Sequence, residues 1–209
     1  MSKVKFPHAS GNSMSIAAPA TNPASDLEIK LPAALGSASQ VLRNSSTPGT
    51  LEFGTPTGKI VQVKHATKTD TFSTASTSYV DVTDLTITIT PTSTSNYIAI
   101  WAFVNGNTTG SKSYGRIVRD STAIAVGDAA GSRVQATFDM NNAGSSNRGL
   151  TCGGIWVEQA QSTNSTVYKI QARHENGGAS LYINQLADTT DSAVTGRYSS
   201  GIIVMEFES

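Results

Sequence analysis

Charged side chains are scarce in this sequence. They make up 14% of 209 residues, and 15 basic groups cancel 15 acidic ones to a net charge of zero. About 25% is usual for a soluble protein. With no basic surplus, counterion release offers no drive toward nucleic acid, so no nucleic-acid partner is expected. One cysteine, Cys152, excludes an intrachain disulfide and a thiolate metal cluster. The three histidines, His8, His65 and His174, show no HxH or HxxxH spacing, so no metal is expected. No apolar run approaches the roughly 20 residues of a membrane span, and membrane insertion is not expected. The opening MSKVKFP has two lysines but no apolar stretch behind it, so it does not read as a secretory signal. Synthesis in a cytoplasm is the expectation, and the sequons at Asn44, Asn107 and Asn164 are then chance. Apolar residues at i, i+3, i+4 and i+7 are never sustained, which leaves no helix to expect.

What remains is Ser, Thr, Asn and Gly around short apolar fragments. A polar but weakly charged surface of this kind suits burial against other copies. The chain changes grammar once. Over 1–58, "DLEIKLP" alternates Leu27, Ile29 and Leu31 and then stops at Pro32, while "SQVLRN" and "TLEFG" behave alike. A single copy has no second layer to bury such strips. The segment reads as an extended assembly arm, with Leu27, Ile29, Leu31, Val41, Leu42, Leu51 and Phe53 seeking partners in other chains.

From Lys59 the alternation is sustained. "DLTITIT" sets Leu85, Ile87 and Ile89 against threonines, as a half-buried strand does. "NYIAIWAFVNG" is apolar on both faces, and so is the closing "SGIIVMEFE". Further strands read as KIVQVKHA, YGRIVRD, STAIAVG, RVQATFDM, LTCGGIWVEQ, STVYKIQARHE and ASLYINQL, separated by Gly-, Ser- and Asn-rich turns. The expected fold is all-β: an arm followed over 59–209 by an antiparallel β-sandwich of jelly-roll type. A sandwich strand normally shows polar residues outside. Trp101, Phe103, Ile203, Met205 and Phe207 are therefore expected at a subunit interface.

The stretch "SIAAPATNPASDLEIKLPAALGSASQVLRNSSTPGTLEFG" resembles the N-proximal segments of bacteriophage fibre and virion-appendage proteins, especially those of marine phages. "KTDTFSTASTSYVDVTDLTITITPTSTSNYIAIWA" is similar to the domains that follow such segments. The closing "RYSSGIIVMEFE" resembles the last strand of the trimeric jelly-roll heads of the tumour necrosis factor and complement type. These resemblances imply a homotrimer with its N-terminal segments threaded together and its jelly rolls outermost. The arm departs from a long tail fibre. Fully extended it spans on the order of 180 Å, and no shaft repeats follow it.

Catalytic and cofactor residues are not found. "GNTTGSKS" falls one residue short of a phosphate-binding loop and precedes no helix. Asp70, Asp81 and Asp84 lie near one another in sequence, with nothing to set two of them across a cleft. The "DTTD" run at 188–191 reads as two turn aspartates rather than a calcium loop. Cys152 reads as a small buried hydrophobe. The polar loop FDMNNAGSSNRG offers Asn141, Asn142, Asn147 and Arg148 as candidates for contact with a host-surface glycan or protein. The expectation is a non-enzymatic virion structural protein: a homotrimeric fibre-type appendage bound to other virion proteins through its arm. A capsid decoration or cement protein is the alternative. A polysaccharide-degrading tailspike is the third reading, without a legible cleft.

Overall fold

The computed structural model of the chain describes residues 3–8, 11–17, 21, 23, 28–56, 58–109, 112–141 and 148–209. Contacts divide it into two compact units, Met1–Pro56 and Thr57–Ser209.

In the first unit the apolar fragments pair with each other. Strands β1 (Lys3–His8) and β2 (Gly11–Ala17) form one antiparallel hairpin, and β3 (Val41–Asn44) and β4 (Leu51–Gly54) form another. The turn before β4 closes with Thr50 N donating to Thr47 O at 3.1 Å, and Gly49 takes a φ of +79° that L side chains avoid. Lys30 adds a short parallel bridge to Thr50. Pairing satisfies backbone groups but hides few side chains: Ile29, Leu31, Val41 and Leu42 all remain exposed.

The second unit is an antiparallel β-sandwich. Its strands are β5 (Ile60–Lys68), β6 (Phe72–Thr74), β7 (Val80–Ile89), β8 (Tyr97–Thr108), β9 (Ser113–Arg119) and β10 (Thr122–Ile124). They continue as β11 (Phe138–Asp139), β12 (Leu150–Gln159), β13 (Thr166–His174), β14 (Leu181–Ile183) and β15 (Ser200–Phe207). One sheet runs β5-β15-β8, with β12 on the far side of β8 and the short β14 and β6 extending it. The other runs β10-β9-β13-β7, with β11 also on β9. Successive long strands thus cross between layers, which is jelly-roll connectivity.

Between the layers lies one core. Ile98, Ile100 and Val104 of β8 meet Leu85, Ile87 and Ile89 of β7, Ile117 of β9, and Tyr168 and Ile170 of β13. On β7 the buried positions pass from Val82 to Leu85, a three-residue step. A bulge against Lys169/Gln171 absorbs it, with Asp84 at φ +65°. The strand expected across RVQATFDM shrinks to Phe138–Asp139. Just before it, the Thr137 hydroxyl rather than a ladder carbonyl accepts the Ile117 N–H at 3.0 Å.

Two buried polar groups pin the ends of the sandwich. Lys68 is fully enclosed, and its Nζ donates to Asp70 at 2.7 Å, Thr83 at 2.9 Å and Asp84 at 3.3 Å. At the opposite end of β15, the buried Glu206 carboxylate accepts from Gln62 Nε2 (2.6 Å), Thr92 N (2.7 Å), Thr92 Oγ1 (2.8 Å) and Asn96 Nδ2 (2.7 Å). Burial alone pushes its pKa up. These donors outweigh burial and hold it below the ordinary carboxylate value. A group depressed in the fold contributes stability above its unfolded pKa and loses it as pH falls through the folded one. The melting temperature should therefore fall as pH drops below about 4.5. Glu206→Gln should flatten that slope and cost about 1–3 kcal/mol at neutral pH, because its amide brings donors to face donors. Thermal denaturation of both proteins from pH 7 to pH 3 measures this.

Candidate assembly face

The register of β5, β15, β8 and β12 sets the outer face of this sheet in rows. Val63, Met205, Ala99 and Val157 lie side by side; so do His65, Ile203, Trp101 and Ile155; so do Thr67, Gly201, Phe103 and Gly153. A further row carries Ile60, Phe207, Tyr97 and Gln159. None of these positions is Asp, Glu, Lys or Arg. Seven of the nine exposed large hydrophobics described in this unit fall on these rows: Ile60, Val63, Tyr97, Trp101, Phe103, Ile155 and Val157. Scattered apolar residues on a surface need no explanation, whereas a contiguous uncharged array does.

Glycine shapes the middle of the array. Both cross-strand neighbours of Phe103 are glycines, Gly201 and Gly153. The Phe103 ring lies over Gly201, where an added Cβ would meet ring atom Cε1 at 2.7 Å. An aromatic spread flat over a strand gives a low, broad apolar surface. β12 pairs only with β8 among the described strands, so it borders the array as an edge strand. Its Ile155 is 66% exposed and its Val157 54%. Edge strands with large exposed hydrophobics are usually covered.

All five expected interface residues lie on this face. Their exposure divides them. Trp101 is 41% and Phe103 42% exposed, Ile203 and Phe207 are half-buried, and Met205 is 8% exposed. Much of the accessible surface comes from Ile155, Val157, Val63, Ile60 and Tyr97, which sequence reasoning missed. The signal was legible in "GGIWVE", whose apolar run lacks alternation, as "IAIWAFV" does.

Among the expected arm residues, Leu27 lies outside the described residues. Leu31 and Phe53 border a hollow of about 630 Å³ within the first unit. Leu51 joins the same lining, while Leu42 borders a second hollow beside it. Of the loop candidates, Asn142 and Asn147 lie outside the described residues. Asn141 N donates to Asp139 Oδ1 at 2.9 Å, and Arg148 O accepts from Asn107 Nδ2 at 2.6 Å.

Cys152 is half-buried on β12 and donates to Val104 O at 3.3 Å. Burial pushes its thiol pKa up to about 12. At neutral pH it is therefore protonated and unsuited to attack as a thiolate. Among the described residues no three His, Cys, Asp or Glu side chains converge as a metal site. Asp188 Oδ1 accepts from Thr190 N at 3.0 Å, a local turn contact. Compared with known protein families and with curated proteins, the chain matches none.

The two glycines beside Phe103 should respond differently to a methyl group. At Gly153 a Cβ would strike the Ala102 backbone carbonyl, so Gly153→Ala should separate β12 from β8 and cost about 1–3 kcal/mol. At Gly201 it would strike only the far edge of the exposed Phe103 ring, so Gly201→Ala should cost less than about 1 kcal/mol. Denaturant unfolding of the two variants ranks them.

Proposed function

We propose that this protein is a non-enzymatic structural component of a bacteriophage virion, a homotrimeric fibre-type appendage. The observation that carries the assembly reading is the charge-free array across β5, β15, β8 and β12. Covering it with other copies removes an apolar surface that a lone sandwich would leave in water. The threefold part of the reading comes from the resemblance of the last strand to trimeric jelly-roll heads, and the strand order of the sandwich is compatible with it. The arm serves as the anchor toward other virion proteins. Its exposed Ile29, Leu31, Val41 and Leu42 would each contribute about 1.5–3 kcal/mol when fully buried in a neighbour.

Light scattering on the full chain should give about 65 kDa, three copies of a 21.8 kDa chain. A clean monomer at micromolar concentration would sink the assembly reading, and a dimer would remove the threefold one. Replacing Ile155 and Val157 by lysine should yield a folded monomer, because both side chains already face solvent and the core does not use them. Deleting residues 1–56 should leave the β-type circular dichroism spectrum of the sandwich intact while abolishing incorporation into particles. Antibody-labelled imaging of wild-type particles then separates a tail fibre from a head decoration protein. Label over the capsid would replace the fibre reading.

A further inference from the structure

The sheet opposite the apolar array has a different outer surface. On β7, β13 and β9, and at Tyr79 just before β7, its outward positions include Tyr79, Asp81, Lys169, Gln171, Arg173, Tyr114 and Arg116, none of them fully buried. These side chains are ordered by one another. Asp81 accepts from Lys169 Nζ at 2.8 Å and from Gln171 Nε2 at 2.7 Å. Gln171 Oε1 in turn accepts from Arg116 Nε at 2.9 Å and Nη2 at 2.7 Å. The Arg116 guanidinium sits 3.9 Å from the centre of the Tyr79 ring, and that of Arg173 lies 5.9 Å from the same centre. The Tyr79 hydroxyl is tied to Gln135 O at 2.8 Å.

The one carboxylate in this row is therefore taken by Lys169 and Gln171. Among the described residues, no ion pair engages Arg116 or Arg173. Two guanidiniums gather at one aromatic ring: Arg116 spends Nε and Nη2 on Gln171 and keeps Nη1, while Arg173 spends Nε on His174 O and keeps both terminal nitrogens for a carboxylate. Beside them is a hollow of about 330 Å³ lined by Tyr114, Asp128, Arg133, Gln135 and Asp139. Tyr114 sits opposite Arg173 in register, so the hollow and the two arginines adjoin. A hollow of this size, lined by the Tyr114 and Phe138 rings with Gln135, Thr137 and two carboxylates, fits a sugar ring and its hydroxyls.

We propose that this face binds a carboxylated saccharide, a uronic-acid-type glycan, with the sugar in the Tyr114 hollow and its carboxylate on Arg116 and Arg173. The chemistry separates this ligand from other anions. Asp128 and Asp139 line the hollow, where carboxylate acceptors suit the hydroxyl donors of a sugar and find no donor on a phosphate backbone. The site lies on the other sheet from the assembly face and does not rest on the appendage reading.

The test is calorimetric titration of the full-length protein with oligogalacturonate and with the same oligomer after carboxyl reduction. Binding of the acidic oligomer, lost on reduction, is the expected result. Arg173→Gln and Arg116→Gln should each weaken it at least about tenfold, the order of one charge-assisted pair. Apart from its distant approach to the Tyr79 ring, Arg173 makes one long hydrogen bond, 3.4 Å to His174 O, so its variant should keep the wild-type melting temperature and oligomer mass. The proposal is overturned by equal binding of the reduced oligomer, by undiminished binding in Arg173→Gln, or by no binding at millimolar oligomer. Oligoglutamate or duplex DNA binding as tightly as the acidic saccharide would overturn it too. Loss of the trimer with glycan binding retained would count against the appendage reading alone.

Discussion

Strand β8 has apolar side chains on both of its faces, and the second sheet can cover only one. Ile98, Ile100 and Val104 point into the sandwich and are fully buried, while Tyr97, Trp101 and Phe103 point the other way and stay exposed. Successive side chains of a strand alternate between faces, so no adjustment of β8 can bury both sets at once. Its neighbours β15, β5 and β12 repeat the situation in register, which turns three outward side chains into an array. The proposed assembly of copies follows from that geometry.

The array depends on register being kept, since a slip of one residue would exchange the two faces. Buried polar groups at both ends of β15 keep it. Near Ser200, the Asn184 amide donates to the Lys68 and Asp70 carbonyls, both at 2.9 Å, and accepts the Ser200 hydroxyl at 2.6 Å. At the other end Glu206 gathers donors from β5 and from the turn before β8. Each of these buried groups would be left unsatisfied by a shifted pairing, at a cost of roughly 1–3 kcal/mol apiece. Such groups contribute more to choosing one pairing than to total stability.

The two outer faces of the sandwich are chemically opposed. One is uncharged and apolar; the other carries arginines, a lysine, an aspartate and tyrosines bound into a hydrogen-bonded row. Burying the first among copies leaves the second turned outward, where the proposed saccharide contact would be made. The proposed arrangement would also account for the composition. A chain that hid one whole face among copies, as proposed, would need few charges for solubility, which fits a sequence with 14% charged residues.

The all-β architecture was legible because period-two alternation is local. "DLTITIT" buries Leu85, Ile87 and Ile89 as its pattern requires, and "LTCGGIWVEQ" is strand β12 from end to end. The doubly apolar runs likewise announced that two surfaces needed cover. Sequence could not say which face of β8 the second sheet would take, nor that β12 would be the edge with Ile155 and Val157 open. Both depend on which strands become neighbours, and β8 lies beside β15, about a hundred positions away in the chain. For the same reason Tyr79, Arg116 and Arg173 gave no motif. Arg116 and Arg173 stand on β9 and β13 and Tyr79 just before β7, and only the pairing of β13 with both β7 and β9 brings the two guanidiniums to one ring.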